Sequence, residues 1–198
     1  MNRKFLRVLR DGAISLALVL FIIYLQLESS TLGMGYGLAL SLVPLIWLGL
    51  RHSGATAIVF ATIAGLIQIA LFDRNQWVDS LLVNLTPLLT VGFSGLFARY
   101  TQKTLNNRRY SSTYLNIGTA ATVVSLAYFL VKYVLIPLAV PSWQGLDLMG
   151  GTLWVSILLT ALVTSILLIA LARIWPAAII PKRSRYLSRK ETSRLLND

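Results

Sequence analysis

Apolar residues along this chain gather in six near-continuous runs, about 11–28, 34–50, 55–72, 79–98, 114–140 and 150–175, separated by short polar stretches. None of the runs alternates apolar with polar positions, which excludes the two-residue period of a membrane β-barrel. Most approach the roughly 20 residues a helix needs to cross the hydrocarbon core. The pattern therefore predicts an all-α integral membrane protein with six transmembrane helices. The second and third runs are joined only by Arg51-His52-Ser53-Gly54, a link tight enough to demand an antiparallel helical hairpin. Pro44, Pro87 and Pro137 fall inside predicted spans, and each is expected to kink its helix or mark a broken one. The polar segment Tyr100–Tyr114 divides the ladder into four helices and two, and no internal repeat is visible. A single six-helix domain over residues 1–178 and a basic tail over 179–198 follow.

Charge adds orientation. Of the 18 Lys and Arg residues, all but Arg74 and Lys132 lie in the N-terminal segment, at Arg51, after the fourth run, or near and beyond the end of the sixth. The alternate gaps carry Glu28, Asp73, Asp79 and Asp147. Positively charged loops stay on the cytoplasmic side, so both termini are expected inside. Only 13% of residues are charged and mean hydropathy is +0.71, against about 25% charged in soluble domains. The net charge of +11 is then explained by topology and by attraction to anionic lipids, and nucleic acid is not expected as a partner. The absence of cysteine removes disulfides and thiolate chemistry, and the lone His52 cannot build a histidine-rich metal site. The run Gly12–Leu27 ends in Glu28-Ser29-Ser30 rather than a small-residue cleavage site, so the first helix is expected to be retained.

Ionisable groups at membrane depth are costly and usually functional, and here Lys132 alone lies well inside a predicted span. The lack of an intramembrane carboxylate argues against ion-coupled transport and against an intramembrane aspartyl protease. No nucleophile–base set suggests an enzyme, no cofactor is implied, and without a Walker motif any ATP would be hydrolysed by another subunit. Lys132 has two readings: a counter-ion for an anionic or hydrogen-bonding substrate, or a lysine snorkelling to the interface. Asn84 and Thr86, beside Pro87, either line a pocket or satisfy the backbone group the proline leaves free; Gln68 on the third helix has the same two readings. Trp77, Trp143 and Trp154 are expected at the outer end with Tyr24, Tyr36 and Tyr133, as interfacial anchors or as stacking platforms for a flat ring, with a further gain if the ring is cationic. Ala13 and Ala17 stand four residues apart on the first helix, a small-xxx-small spacing that lets helices approach closely in lipid. Gly92, Ser94 and Gly95 give the fourth helix a similar patch.

Three stretches carry a resemblance: residues 7–17 (RVLRDGAISLA), residues 41–51 (SLVPLIWLGLR) and residues 92–97 (GFSGLF). With six spans and no energy module, the chain resembles the S-components of energy-coupling factor vitamin transporters, and more narrowly the thiamine-specific family, over about residues 7–175. The resemblance implies a small subunit of the bacterial cell membrane that captures a thiamine-like vitamin or precursor from outside. It implies docking through Ala13 and Ala17 on an EcfT-like transmembrane coupling subunit, and through it two cytoplasmic ATPases. It places a ligand-stacking tryptophan at Trp143 and a polar pocket position at Ser156. Asn84 lies where the family carries an acidic residue, and Tyr128 and Lys132 lie in the stretch where it carries a ligand-contacting histidine. With Trp154, Gln68 and Tyr36 these complete the expected binding set. The alternative from the residues is a membrane scaffold of cell-wall synthesis, of the MreD type, which shares six short spans and a basic inner side.

Overall fold

The shortest of the long-range elements occupies the centre of the molecule. In the computed structural model, which describes residues 3–25, 37–72, 77–140, 151–182 and 184–187, helix α2 (Leu42–Arg51) has only ten residues, and eight of them are buried. A helix apolar all round must be surrounded, and α2 packs against α1 (Arg3–Tyr24), α3 (Gly54–Phe72), α4 (77–106), α5 (Tyr110–Ala139) and α6 (Gly151–Ile174). A short α7 (Pro176–Ile179) closes one end. Among the described residues, the chain makes six helical passes and has no strand. Four of the passes (α3, α4, α5 and α6) are long and apolar enough to cross a membrane, while α2 is shorter. Leu158, Leu162 and Ile166 on α6, and Phe5, Leu9 and Phe21 on α1, are exposed apolar side chains, as lipid-facing stripes require. This is an all-α, multi-pass membrane protein.

The sequence predicts a second span over 34–50, yet among the described residues helix begins only at Leu42, and the backbone of Gly37 and Ala39 is held instead by side chains from far along the chain. Gly37 N–H donates to Ser156 Oγ at 2.9 Å and Ala39 N–H donates to Thr160 Oγ1 at 3.2 Å. Non-helical backbone at membrane depth is tolerated where protein satisfies it, and α6 supplies the hydroxyls. At the other end of α2, Gln102 Nε2 donates to the carbonyls of Leu50 and Arg51 at 2.7 and 2.8 Å, capping acceptors that a helix C-terminus leaves unpaired.

Two of the three prolines mark irregular helix, while Pro44 falls in the first turn of α2 and neither kinks nor breaks a span. Pro87 in α4 and Pro137 in α5 each follow a π-helical stretch, Leu81–Leu85 and Val131–Leu135. In each, an N–H reaches five residues back, Thr86 to Leu81 and Ile136 to Val131. The wider turn moves the preceding backbone away from the pyrrolidine ring, the usual remedy for proline within a helix. Val83 packs with Ile136, Val140 and Val131, so the two widened stretches lie together. The small-residue patch brings backbones into contact: a Cβ at Gly95 would strike the backbone of Gly54, and one at Gly49 would strike Ser94.

Charge is less confined to the loops than the sequence suggests. Asp11 lies within α1 and is 2% exposed, and Arg51, expected in a hairpin turn, is 8% exposed. In addition to the partly buried Lys132 there is thus a buried ionic group, Asp11, neutralised by an arginine forty residues away. Ile179, Ile180 and Leu187 also belong to the apolar core, and Ser184 Oγ donates to Gln102 Oε1, so the segment after α6 packs onto the termini end of the bundle.

Candidate functional site at the distal end

The end of the bundle remote from both termini gathers aromatic rings around one ammonium group. Phe129 and Tyr133, one turn apart on α5, stack with centroids 5.7 Å apart and planes 20° from parallel, while Tyr128 meets Phe129 edge-on at 5.4 Å. Lys132 Nζ donates to the Tyr128 hydroxyl at 3.2 Å and lies 5.4 and 5.7 Å from the Tyr128 and Tyr133 ring centroids. The π-helical stretch carrying Lys132 and Tyr133 lets residues four and five apart share one face, a geometry that recurs at functional sites.

Gly37 couples this cluster to α6. Its N–H is held by Ser156, and a Cβ there would lie 3.3 Å from Phe129 and 3.8 Å from the Tyr133 hydroxyl. A methyl group there would press on Phe129 and require that ring to give by a few tenths of an ångström. Ser156 is fully buried and donates in turn to Thr152 O at 2.7 Å. Ser156, Tyr128 and Lys132, three of the residues expected from sequence, are thus brought into one cluster.

The other expected residues fall differently. Asn84 lies partly buried in the π-helical stretch of α4, next to Val83, which packs on α5. Gln68 is partly buried on α3, one turn beyond Gly65, whose position faces Leu85 of α4. Trp154 is 47% exposed; two residues from Ser156 on a helix, it points to nearly the opposite face. Trp143 and Tyr36 lie outside the described residues. Ala13 and Ala17 are both exposed on α1 and are not part of this cluster. Sequence reasoning missed Gly37, Phe129 and Thr160; a glycine in an apolar run just before a helix start was the available signal for the first.

Chemically, the cluster offers flat faces for an aromatic ring, hydroxyl groups that donate or accept, and one ammonium donor. Among the described residues no three His, Cys, Asp or Glu side chains approach closely enough to hold a metal. The termini end has a different character. Asp11 Oδ2 accepts from Arg51 Nε at 2.6 Å and lies 2.9 Å from His52 Nε2, while Asp11 Oδ1 accepts from Arg10 at 3.1 Å. Burial and the adjacent Arg51 guanidinium hold the His52 imidazole below its ordinary pKa, although Asp11 acts the other way.

Comparison with known proteins places this architecture. No curated protein matches the sequence. Among solved structures, ThiT from Listeria monocytogenes is similar at a TM-score of 0.76, covering 90% of this chain and 100% of that chain at 16% identity; at that identity the likeness is one of fold. The family model described as "Thiamine transporter protein" (Thia_YuaJ) matches residues 9–135, well over half of the chain, and decides between transport and the scaffold alternative. The chain belongs to the thiamine transporter protein family.

Proposed function

We propose that the protein is the substrate-capturing subunit of an energy-coupling factor importer, binding thiamine or a relative that shares its aminopyrimidine ring at the distal end of the bundle. The observation that carries this reading is the Tyr128–Phe129–Tyr133 cluster with Lys132, locked to Gly37 and Ser156. An aminopyrimidine is a flat, neutral heterocycle whose ring nitrogens accept hydrogen bonds. Stacking on such a platform is worth about 1–3 kcal/mol per ring, and the ammonium or a tyrosine hydroxyl supplies directional donors. A thiazolium cation gains from aromatic faces but is opposed by Lys132, so the reading favours the pyrimidine half as the part held beside Lys132.

The subunit performs no chemistry on its ligand. In this reading the distal end faces outside, both termini are cytoplasmic, and the exposed Ala13–Ala17 face of α1 docks on an EcfT-like coupling subunit served by two ATPases. The small side chains there leave room for a partner helix at close range. Native mass spectrometry of the gently purified protein, with tryptophan fluorescence titrated by thiamine and by its pyrimidine alone, tests the binding half. A co-purified or quenching vitamin is expected; silence with both compounds would sink it. Replacing Ala13 and Ala17 by tryptophan should abolish capture of the coupling subunit while leaving ligand affinity intact, and normal capture would overturn the docking assignment.

A further inference from the structure

Lys132 carries a charge at membrane depth that no described carboxylate neutralises. Two carboxylates are described, Asp11 and Asp79. Among the described residues every ion pair falls on Asp11 at the termini end, and Asp79 at the start of α4 takes none. The contacts of the ammonium are instead one hydroxyl and two rings. Its Nζ donates to Tyr128 Oη at 3.2 Å and lies 5.4 and 5.7 Å from the Tyr128 and Tyr133 ring centroids. An ammonium has three hydrogens to donate, so the bond to Tyr128 leaves two for other acceptors. A lysine that snorkels carries its head away from the apolar interior toward water. Lys132 does the reverse: it is partly buried and bonds one turn back along α5, to a tyrosine that is 5% exposed. Attraction to the rings offsets part of the cost of that placement. A charge kept at such depth without a counter-ion marks a place for one.

The surroundings decide what kind of anion fits. Tyr128, Phe129 and Tyr133 put flat rings next to the ammonium, so a bare inorganic ion would use only half of the cluster. An uncharged heterocycle would use the other half and leave the ammonium unmatched. We infer that Lys132 sets the specificity of this site for a flat heteroaromatic ligand that carries an anionic ester group, the phosphate monoester of the aminopyrimidine alcohol being the simplest case. The ring lies against the aromatic cluster, and the phosphate oxygens accept the remaining ammonium hydrogens in a charge-assisted pair. A phosphate monoester brings about −1.5 to −2 charges at neutral pH and so supplies the counter-ion, whereas a thiazolium adds a second cation. This specificity rests on the ligand reading above and deepens it by fixing the charge of the ligand.

The test titrates the full-length protein in detergent, by calorimetry, with thiamine, the aminopyrimidine alcohol, its phosphate monoester and inorganic phosphate. Wild-type protein is expected to bind the ester about tenfold more tightly than the alcohol, the ratio one charge-assisted hydrogen bond supports. Inorganic phosphate should bind at least about tenfold more weakly than the ester, for want of a ring to stack. Lys132→Gln should bring the ratio of ester to alcohol down to about one, and Lys132→Arg should keep the ester ahead. The wild-type ratio decides even if a variant folds poorly. Thiamine or the alcohol binding as tightly as the ester overturns the inference and leaves the ligand reading standing. So does a ratio that Lys132→Gln does not change, or inorganic phosphate that binds as tightly as the ester. Binding of none of the ring compounds overturns the ligand reading, and the inference with it.

Discussion

The two ends of the bundle solve the problem of polar groups in an apolar setting in opposite ways. At the termini end, charges are locked: Asp11 is gripped by Arg51 and Arg10, and Arg51 is tied to α7 carbonyls and capped through Gln102. At the distal end, the helices are widened: π turns precede Pro87 and Pro137, backbone N–H groups rest on hydroxyls, and the one ammonium leans on tyrosines. A locked end suits a fixed point of attachment, and a widened, aromatic end suits a ligand that must enter and leave. The difference teaches that buried polarity alone does not mark a binding site. What distinguishes the distal cluster is its chemistry, aromatic faces and hydroxyls around one ammonium in place of a carboxylate matched to guanidinium groups.

Breaking the lock should have the largest effect. Asp11→Leu strands the buried Arg51 charge and should cost about 3 kcal/mol or more, a fall of roughly 10 °C in melting temperature. Adding Arg51→Met to it should recover much of that loss, because replacing both partners removes the uncompensated charge. An unchanged melting temperature in Asp11→Leu would contradict the lock. Next in size, Gly95→Ala drives a methyl group into the backbone of Gly54 and should cost about 2 kcal/mol, read in the same melting assay. At the distal end, Lys132→Met should strengthen binding of cationic thiamine by about tenfold relative to its neutral pyrimidine, since a like charge a few ångströms away is removed. A matched change for both compounds would show that Lys132 does not face the thiazolium.

The smallest effect is with pH. A base whose folded-state pKa lies below its unfolded value stabilises the fold above the unfolded value, and that contribution is lost as pH falls. His52 is lowered from 6.5, so melting temperature should decline as pH drops below about 6.5. His52→Gln should flatten that decline. A melting temperature that rises on acidification to the same extent in both proteins would contradict the assignment.

Much of the fold was legible because membrane helices announce themselves in continuous apolar runs, and Pro87 and Pro137 marked real irregularities. The early end of the second helical span was not legible, because the groups that hold Gly37 and Ala39 lie 119 and 121 residues away on α6. Asp11 and Arg51 read as flank and turn for the same reason: only the packing of α1 on α2 shows that they bury each other. At the candidate site, Lys132 could be named from residue type and depth, and Ser156 and Tyr128 only from the family resemblance. Phe129 could not, since an apolar ring in an apolar run carries no signal until its neighbours are known. Trp154 illustrates the converse, a conspicuous residue on the helix face away from the cluster.

The central claim is that the distal end takes the ligand and the termini end does not. Isothermal titration of thiamine and of its aminopyrimidine into wild-type protein, Tyr133→Ala and Arg51→Lys tests it most directly. The account predicts one site per chain, weakened at least about tenfold by Tyr133→Ala through lost stacking and unchanged in Arg51→Lys. Affinity that falls in Arg51→Lys while Tyr133→Ala binds as the wild type does would contradict it.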